Sequence, residues 1–182
     1  TDKAKAVEYY EKAKSELGKD SFSYKMLVED TESAQNVAQF IQSEIQTTLP
    51  GVTITLEVLP KKNRVERMQS GDYEIGFTRW GPDYADPMTY LDMWTTDSPN
   101  NYGLWSNTEH DEVIESAKSG DLALDPEARW EALKNVEKTV MDEAVIAPVY
   151  QKGNAVMIKK NVSNIEFHSV GVSRIYKNAG IE

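Results

Sequence analysis

Three stretches with strand character alternate with two of helix character across residues 24–78, and that alternation sharply limits the folds open to the chain. Tyr24–Glu29 is short and apolar enough for a strand. Asp30 or Thr31 can cap a helix whose stripe is Ala34, Val37, Ala38, Ile41 and Ile45, and Leu49-Pro50-Gly51 stops it. Val52, Ile54, Leu56 and Val58 then alternate with Thr53, Thr55 and Glu57, the period of a strand with one buried face, until Pro60. Residues 61–70 read as a short helix with Val65 and Met68 inward and Gly71 past its end, and 73–78 as a third strand. Tight turns join only antiparallel neighbours, so helical crossovers of this length imply parallel strands. Open parallel sheets gather ligands beyond the carboxyl ends of their strands, which directs attention to the stretch after the third strand, Arg79 to Pro87.

On either side the pattern is helical or irregular. Ala6, Tyr10, Ala13 and Leu17 share one face of a helix over 2–17, with Gly18 suited to its end. Residues 88–105 are aromatic and turn-rich, predicting a long ordered loop with a short helix near Met88–Met93. Helices follow over about 109–119, with Val113, Ile114 and Ala117 inward, and over 126–142, where Asp125 caps, Pro126 takes the first turn, and Trp130, Leu133, Val136 and Val140 face the core. Residues 145–151, 155–158 and 162–167 are expected strands, and the tail after Ser169 shows no clear partner.

A chain of 182 residues can build one domain with a substantial core, and is too short for two ordinary domains and a linker. No apolar run approaches the length of a bilayer helix, and residues 1–20 lack the apolar stretch of a secretory signal. The net charge is −10, and the acidity is local: residues 1–70 carry ten cations and eleven anions, residues 71–182 ten and nineteen. An acidic chain without a basic stripe argues against nucleic-acid binding. With no cysteine, thiolate metal sites, disulfides and cysteine nucleophiles are excluded.

Catalytic motifs are scarce. His110 and His168 are isolated, suited to surface or loop positions, and neither has a second ligand at helical spacing. No phosphate-cradling glycine motif and no exposed nucleophilic serine motif is present, so no metal, cofactor or acyl-transfer site is expected. Asp83 and Asp86 could form a carboxylate pair of the kind a glycoside hydrolase uses, although an Asp-x-x-Asp-Pro turn usually serves its own backbone. The other reading of Arg79–Asp83 is recognition. A strand end offers free backbone groups, Trp80 an apolar wall, Gly81 close approach, and Asp83 a partner for a cation. A carboxylate meeting an ammonium in a partly closed cleft forms charge-assisted bonds worth about 1.5–3 kcal/mol. The bland equivalent, with Trp80 in the core, Gly81-Pro82 as a turn and Asp83 as a solvated cap, fits the pattern equally well.

The run Gly71-Asp72-Tyr73-Glu74-Ile75-Gly76-Phe77-Thr78-Arg79-Trp80-Gly81-Pro82-Asp83-Tyr84-Ala85-Asp86-Pro87 is similar to a pattern of Gly-x-Tyr-Asp, an apolar strand and Trp-x-x-Asp-Tyr-x-Asp/Glu-Pro. Tyr90-Leu91, Asn100-Asn101-Tyr102, residues 36–60, Asp125–Arg129 and Val145–Tyr150 extend the likeness over nearly the whole chain. In these features it resembles the extracytoplasmic solute-binding proteins of peptide ABC importers, the oligopeptide/dipeptide-binding family.

The resemblance implies an α/β fold with a mostly parallel sheet flanked by helices, as one lobe of a two-lobed, class II periplasmic-binding-protein-like fold. It implies that residues 1–168 form the second, carboxyl-terminal lobe and that 169–182 are a tail leading to the first lobe. It implies a noncatalytic, monomeric protein outside the cytoplasm, at the cell surface as a lipoprotein or in a periplasm, which binds oligopeptides and delivers them to importer membrane subunits. A surface peptide receptor reusing the lobe is the related alternative. Carried over residue by residue, Asp83 takes the peptide's ammonium, main-chain groups around Arg79–Gly81 pair with its backbone, and Trp80, Asn100, Asn101 and Tyr102 line side-chain pockets. Phe77 and Thr78 before Arg79 depart from relatives that supply an anchor for the peptide's carboxyl terminus from this strand.

Overall fold

The structure is a computed structural model that describes residues 2–182, and its contacts group into two compact units, 1–79 and 80–182. The sequence reading takes 1–168 as one lobe; within this chain the division falls inside the conspicuous motif, between Arg79 and Trp80.

Unit 1 runs α1 (Lys3–Leu17), β1 (Phe22–Glu29), α2 (Glu32–Thr48), β2 (Val52–Leu59), α3 (Lys61–Gln69) and β3 (Ile75–Gly76). The three strands are parallel in the order β2-β1-β3, the α/β arrangement that the alternating pattern predicts. β1 pairs with β2 along its whole length, from Phe22 opposite Val52 to Glu29 opposite Leu59. Its last four residues, Met26 to Glu29, are buried, as a central parallel strand covered on both faces requires. Met26, Val28 and Ile54 pack against Ala38 of α2, flanked by Ala34, Ile41 and Ile45. Beneath α3, Met68 and Arg64 are buried instead of the expected Met68 and Val65. Arg64 reaches Glu29 Oε2 at 3.4 Å, so a buried charge at the end of β1 is met by a buried charge on α3.

β3 is shorter than the sequence suggests. The Lys25 N–H, which would extend the β1–β3 ladder, instead donates to a carboxylate oxygen of Glu74 at 2.7 Å, so a side chain replaces the backbone partner. α1 begins at Asp2, whose side chain accepts the Lys5 N–H, and ends at left-handed Gly18. Of its predicted stripe only Tyr10 is buried, and Leu17 faces outward. The Tyr10 hydroxyl donates to Pro50 O at 2.6 Å, tying α1 to the turn before β2. Gly51 in that turn has φ +98°, and a Cβ there would sit 2.6 Å from Asp20 O and 2.8 Å from the Tyr10 hydroxyl.

Unit 2 holds α4 (Met88–Leu91), α5 (Thr108–Ser119) and α6 (Pro126–Asp142) around a core of Met88, Leu91, Ile114, Ala117, Leu133 and Val136. Asn107 and Asp125 cap α5 and α6 through the N–H groups of His110 and Ala128. Trp130, expected in the core, is exposed; Arg129 beside it turns toward the loop instead, donating two parallel bonds of 2.9 Å to the Asp86 carboxylate and one of 3.0 Å to Ala117 O. His110 also departs from expectation, being buried with Nε2 donating to Leu91 O at 3.0 Å and its ring edge-on to Trp105.

Beyond α6 the expected strands over 145–151 and 155–158 do not form, and Val149, Tyr150, Val156, Met157 and Ile158 are exposed. Among the described residues no strand lies beside them, and an unpaired strand cannot close its hydrogen bonds. The stretch 162–167 divides into β4 (Val162–Ser163) and β5 (Glu166–Phe167), separated by Asn164 at φ +58°. The tail does find local partners. β5 pairs antiparallel with β6 (Arg174–Ile175), and β4 with β7 (Gly180–Ile181).

Two outcomes follow from this packing. G51A forces a Cβ into the Asp20 carbonyl and Tyr10 hydroxyl at a left-handed position, so thermal unfolding of unit 1 should register a loss of about 1–3 kcal/mol. In unit 2, burial holds the His110 ring below its ordinary value of 6.5, so the unfolded chain takes up the proton first. Stability from this group is complete above 6.5 and falls as the pH drops below it, and melting temperatures measured from pH 7.5 to 5 should decline less in H110N.

Candidate functional site

The stretch after β3 divides between the units, and each part is fixed by its own. Arg79 closes unit 1. Its guanidinium donates to Glu29 Oε1 at 3.2 Å while the side chain remains largely exposed. Glu29, at the carboxyl end of the central strand, therefore holds Arg64 with one oxygen and Arg79 with the other.

Unit 2 begins with the loop from Trp80 to Pro87, pinned by α4 and α6. The Trp80 indole N–H donates to Thr89 O at 2.8 Å, which orients the ring while leaving it 39% exposed. The Asp83 N–H donates to Thr89 Oγ1 at 3.1 Å. Thr89 itself is buried, held by a helix whose neighbours Met88 and Leu91 are in the core. Gly81 and Asp83 are exposed, and a Cβ on Gly81 would meet nothing within 4 Å. The Asp83 carboxylate has no hydrogen bond or ion pair among the described residues.

Asp86 has a different fate. Besides its two bonds from Arg129, Oδ1 accepts the Met88 N–H at 2.9 Å, so the carboxylate caps α4 and binds α6 at once. The Arg129 bonds hold Asp86 below the usual carboxylate range, against a smaller opposing effect of burial. A carboxyl held ionised by a guanidinium is unsuited to act as a general acid, so in a hydrolytic pair with Asp83 Asp86 could serve only as base or nucleophile. Tyr84 registers the local field. Partial desolvation and then the carboxylates of Asp92, Asp86 and Asp83 raise its hydroxyl above its ordinary value, with Arg129 opposing.

The loop after α4 is closed on itself by Asn101. This side chain, expected to line a pocket, is buried and bonded within the loop: Nδ2 donates to Thr95 O at 3.2 Å and to Trp105 O at 2.7 Å, while Oδ1 accepts the Trp105 N–H at 3.2 Å. Asn101 shapes the loop from inside. Its neighbours Asn100 and Tyr102 are half-buried, and neither side chain has an internal hydrogen bond among the described residues. Trp105 Nε1 donates to Glu143 at 2.7 Å, and Asn107 Nδ2 to its other oxygen at 3.3 Å, which fastens the loop's end to the end of α6.

Thr89, Glu29 and Arg129 were missed as supports of the motif. The sequence signal for Arg129 was its place in the first turn of a capped helix; Thr89 and Glu29 had none, because their importance comes from what the fold brings to them. Two cavities of unit 1, of about 350 and 380 Å³, lie between the sheet and α3 and around α3 itself, lined among others by Lys25, Glu57, Arg67 and Asn63, and by none of the candidate residues. Among the described residues, no His, Asp and Glu side chains cluster as a metal site would need, and no helix is long and apolar enough to cross a membrane.

The chain is similar to known proteins throughout its length. A dipeptide-binding protein of Lactococcus lactis subsp. cremoris is 30% identical over 182 residues, all of this chain and 33% of that protein. The solved substrate-binding domain of an oligopeptide ABC transporter from Bacillus anthracis matches 99% of this chain and 35% of its own, with a TM-score of 0.87 and 35% identity. A Listeria monocytogenes OppA bound to peptide covers 99% of this chain and 34% of its own, with a TM-score of 0.83 and 30% identity. The chain thus spans about a third of the length of these relatives. Structural neighbours of this kind are two-lobed and periplasmic-binding-protein-like, in keeping with the parallel sheet and flanking helices. Residues 1–102 match the middle part of the bacterial extracellular solute-binding proteins, family 5, and the chain belongs to that family.

Proposed function

We propose that this chain is part of the ligand-binding body of an extracytoplasmic importer component that captures oligopeptides and delivers them to ABC membrane subunits. The observation that carries the reading is the Asp83 carboxylate, exposed and unpartnered in the middle of a loop whose backbone is fixed by Thr89. Asp83 takes the free amino group of the peptide. Main-chain groups of Arg79–Gly81 pair with the peptide backbone, which is blind to peptide sequence, while the half-exposed face of Trp80, with Asn100 and Tyr102, meets side chains.

Residues 1–168 belong, on this reading, to the second lobe, and the tail of 169–182, whose β6 and β7 pair with β5 and β4, packs with them. Closure of two lobes then encloses the ligand. The role is capture and release without chemistry, which agrees with the commitment of Asp86 to Arg129. The similarity to the pheromone receptor PrgZ, at 33% identity and a TM-score of 0.84, supports a related alternative in which a surface receptor uses the same body. Pull-down with importer membrane subunits distinguishes them, since a receptor that does not deliver its ligand would retain none.

Calorimetry on the full-length protein tests the amine role. D83N should weaken an unmodified peptide about tenfold or more while leaving its N-acetylated form nearly unchanged, because a charge-assisted bond is lost only where an ammonium exists. Equal losses for both peptides would remove Asp83 from that role. The 182-residue chain alone should bind peptide at least about a hundredfold more weakly than the full-length protein, since much of the enclosing surface lies outside it. Tight binding by the isolated chain would contradict the two-lobed reading.

A further inference from the structure

Asp83 has nothing on its carboxylate to orient it, and Trp80, three residues earlier, is half in solvent. Both are nevertheless tied to a single residue. Thr89 accepts the Asp83 N–H on its hydroxyl oxygen at 3.1 Å and the Trp80 indole N–H on its carbonyl at 2.8 Å. Its own N–H donates to Asp86 O at 3.3 Å, and Asp86 is held in turn by Arg129. Thr89 is 2% exposed, and Met88 and Leu91 on either side are embedded in the core of unit 2.

We infer that Thr89 is a positioning residue for ligand capture, its buried hydroxyl setting the backbone of Asp83 so that the free carboxylate stands ready for an ammonium. This rests on the amine role proposed for Asp83. The carbonyl bond to Trp80 survives any substitution of the side chain, whereas the bond to Asp83 requires the hydroxyl. The two supports are therefore separable by mutation. Valine matches threonine in shape and removes the acceptor, leaving the Asp83 N–H without its partner and the loop free to sample other conformations; serine keeps the acceptor.

The test is calorimetry on the full-length protein with a pool of unmodified peptides of two to six residues and the same pool N-acetylated. T89V should weaken the unmodified pool about fivefold and leave the acetylated pool within twofold of the parent, as expected for loss of one hydrogen bond felt only through the amine contact. T89S should restore the parent preference. T89A, which cannot overfill the site, replaces T89V if that variant does not fold. Equal weakening of both pools by T89V, or failure of T89S to restore the preference, would overturn the positioning role. D83N in parallel keeps the two readings apart. If D83N loses the preference for free amines and T89V retains it, Thr89 alone is dismissed; if D83N keeps it, or the parent binds neither pool, both readings fall.

Discussion

A backbone N–H or C=O removed from water must find a partner, and in this chain that requirement determines where strands run, where they stop and which side chains are diverted to serve them. β1 satisfies it with neighbours on both sides and is buried over its last four residues. β3 begins late because the Glu74 side chain takes over at Lys25. In unit 2, where the described strands are two residues long, Thr89 and Asn101 do for irregular backbone what a ladder does for regular backbone. A long loop so supported can be ordered without a strand or helix of its own.

Asp83 and Asp86 show how environment divides two identical side chains three residues apart. Asp86 lies within reach of α6 and is bound by Arg129 in a planar, two-bond geometry that lysine could not provide. Asp83 is held only through its N–H, so its charge remains available. The same distinction separates the arginines of unit 1: Arg64 is buried against Glu29, while Arg79 meets the other oxygen from an exposed position. Structural and available charges thus stand side by side, and burial decides which is which.

The β-α-β-α-β order was legible because period-two and helical stripes are written in local sequence, and parallel pairing follows from the length of the crossovers. The cap at Asp125 and the stop at Gly18 are equally local. What escaped depends on distant partners. Trp130 reads as a core position on its helix, yet the neighbouring arginine faces inward because a carboxylate 43 positions earlier is there to receive it. Val145–Tyr150 has strand composition, but composition cannot supply a neighbour. For Asn101 the fold adds what the sequence does not carry, three bonds of its amide to Thr95 and Trp105.

The exposed ribbon from Val149 to Ile158, apolar at both ends, bears on how the chain behaves in a test tube. Backbone outside any strand or helix, carrying side chains such as the wholly uncovered Met157, offers a second molecule an exposed apolar surface to settle on. The acidic charge of the chain opposes such pairing at low ionic strength, and added salt weakens that repulsion. Concentrated, salty solutions of the isolated chain therefore favour clumping that begins at this ribbon.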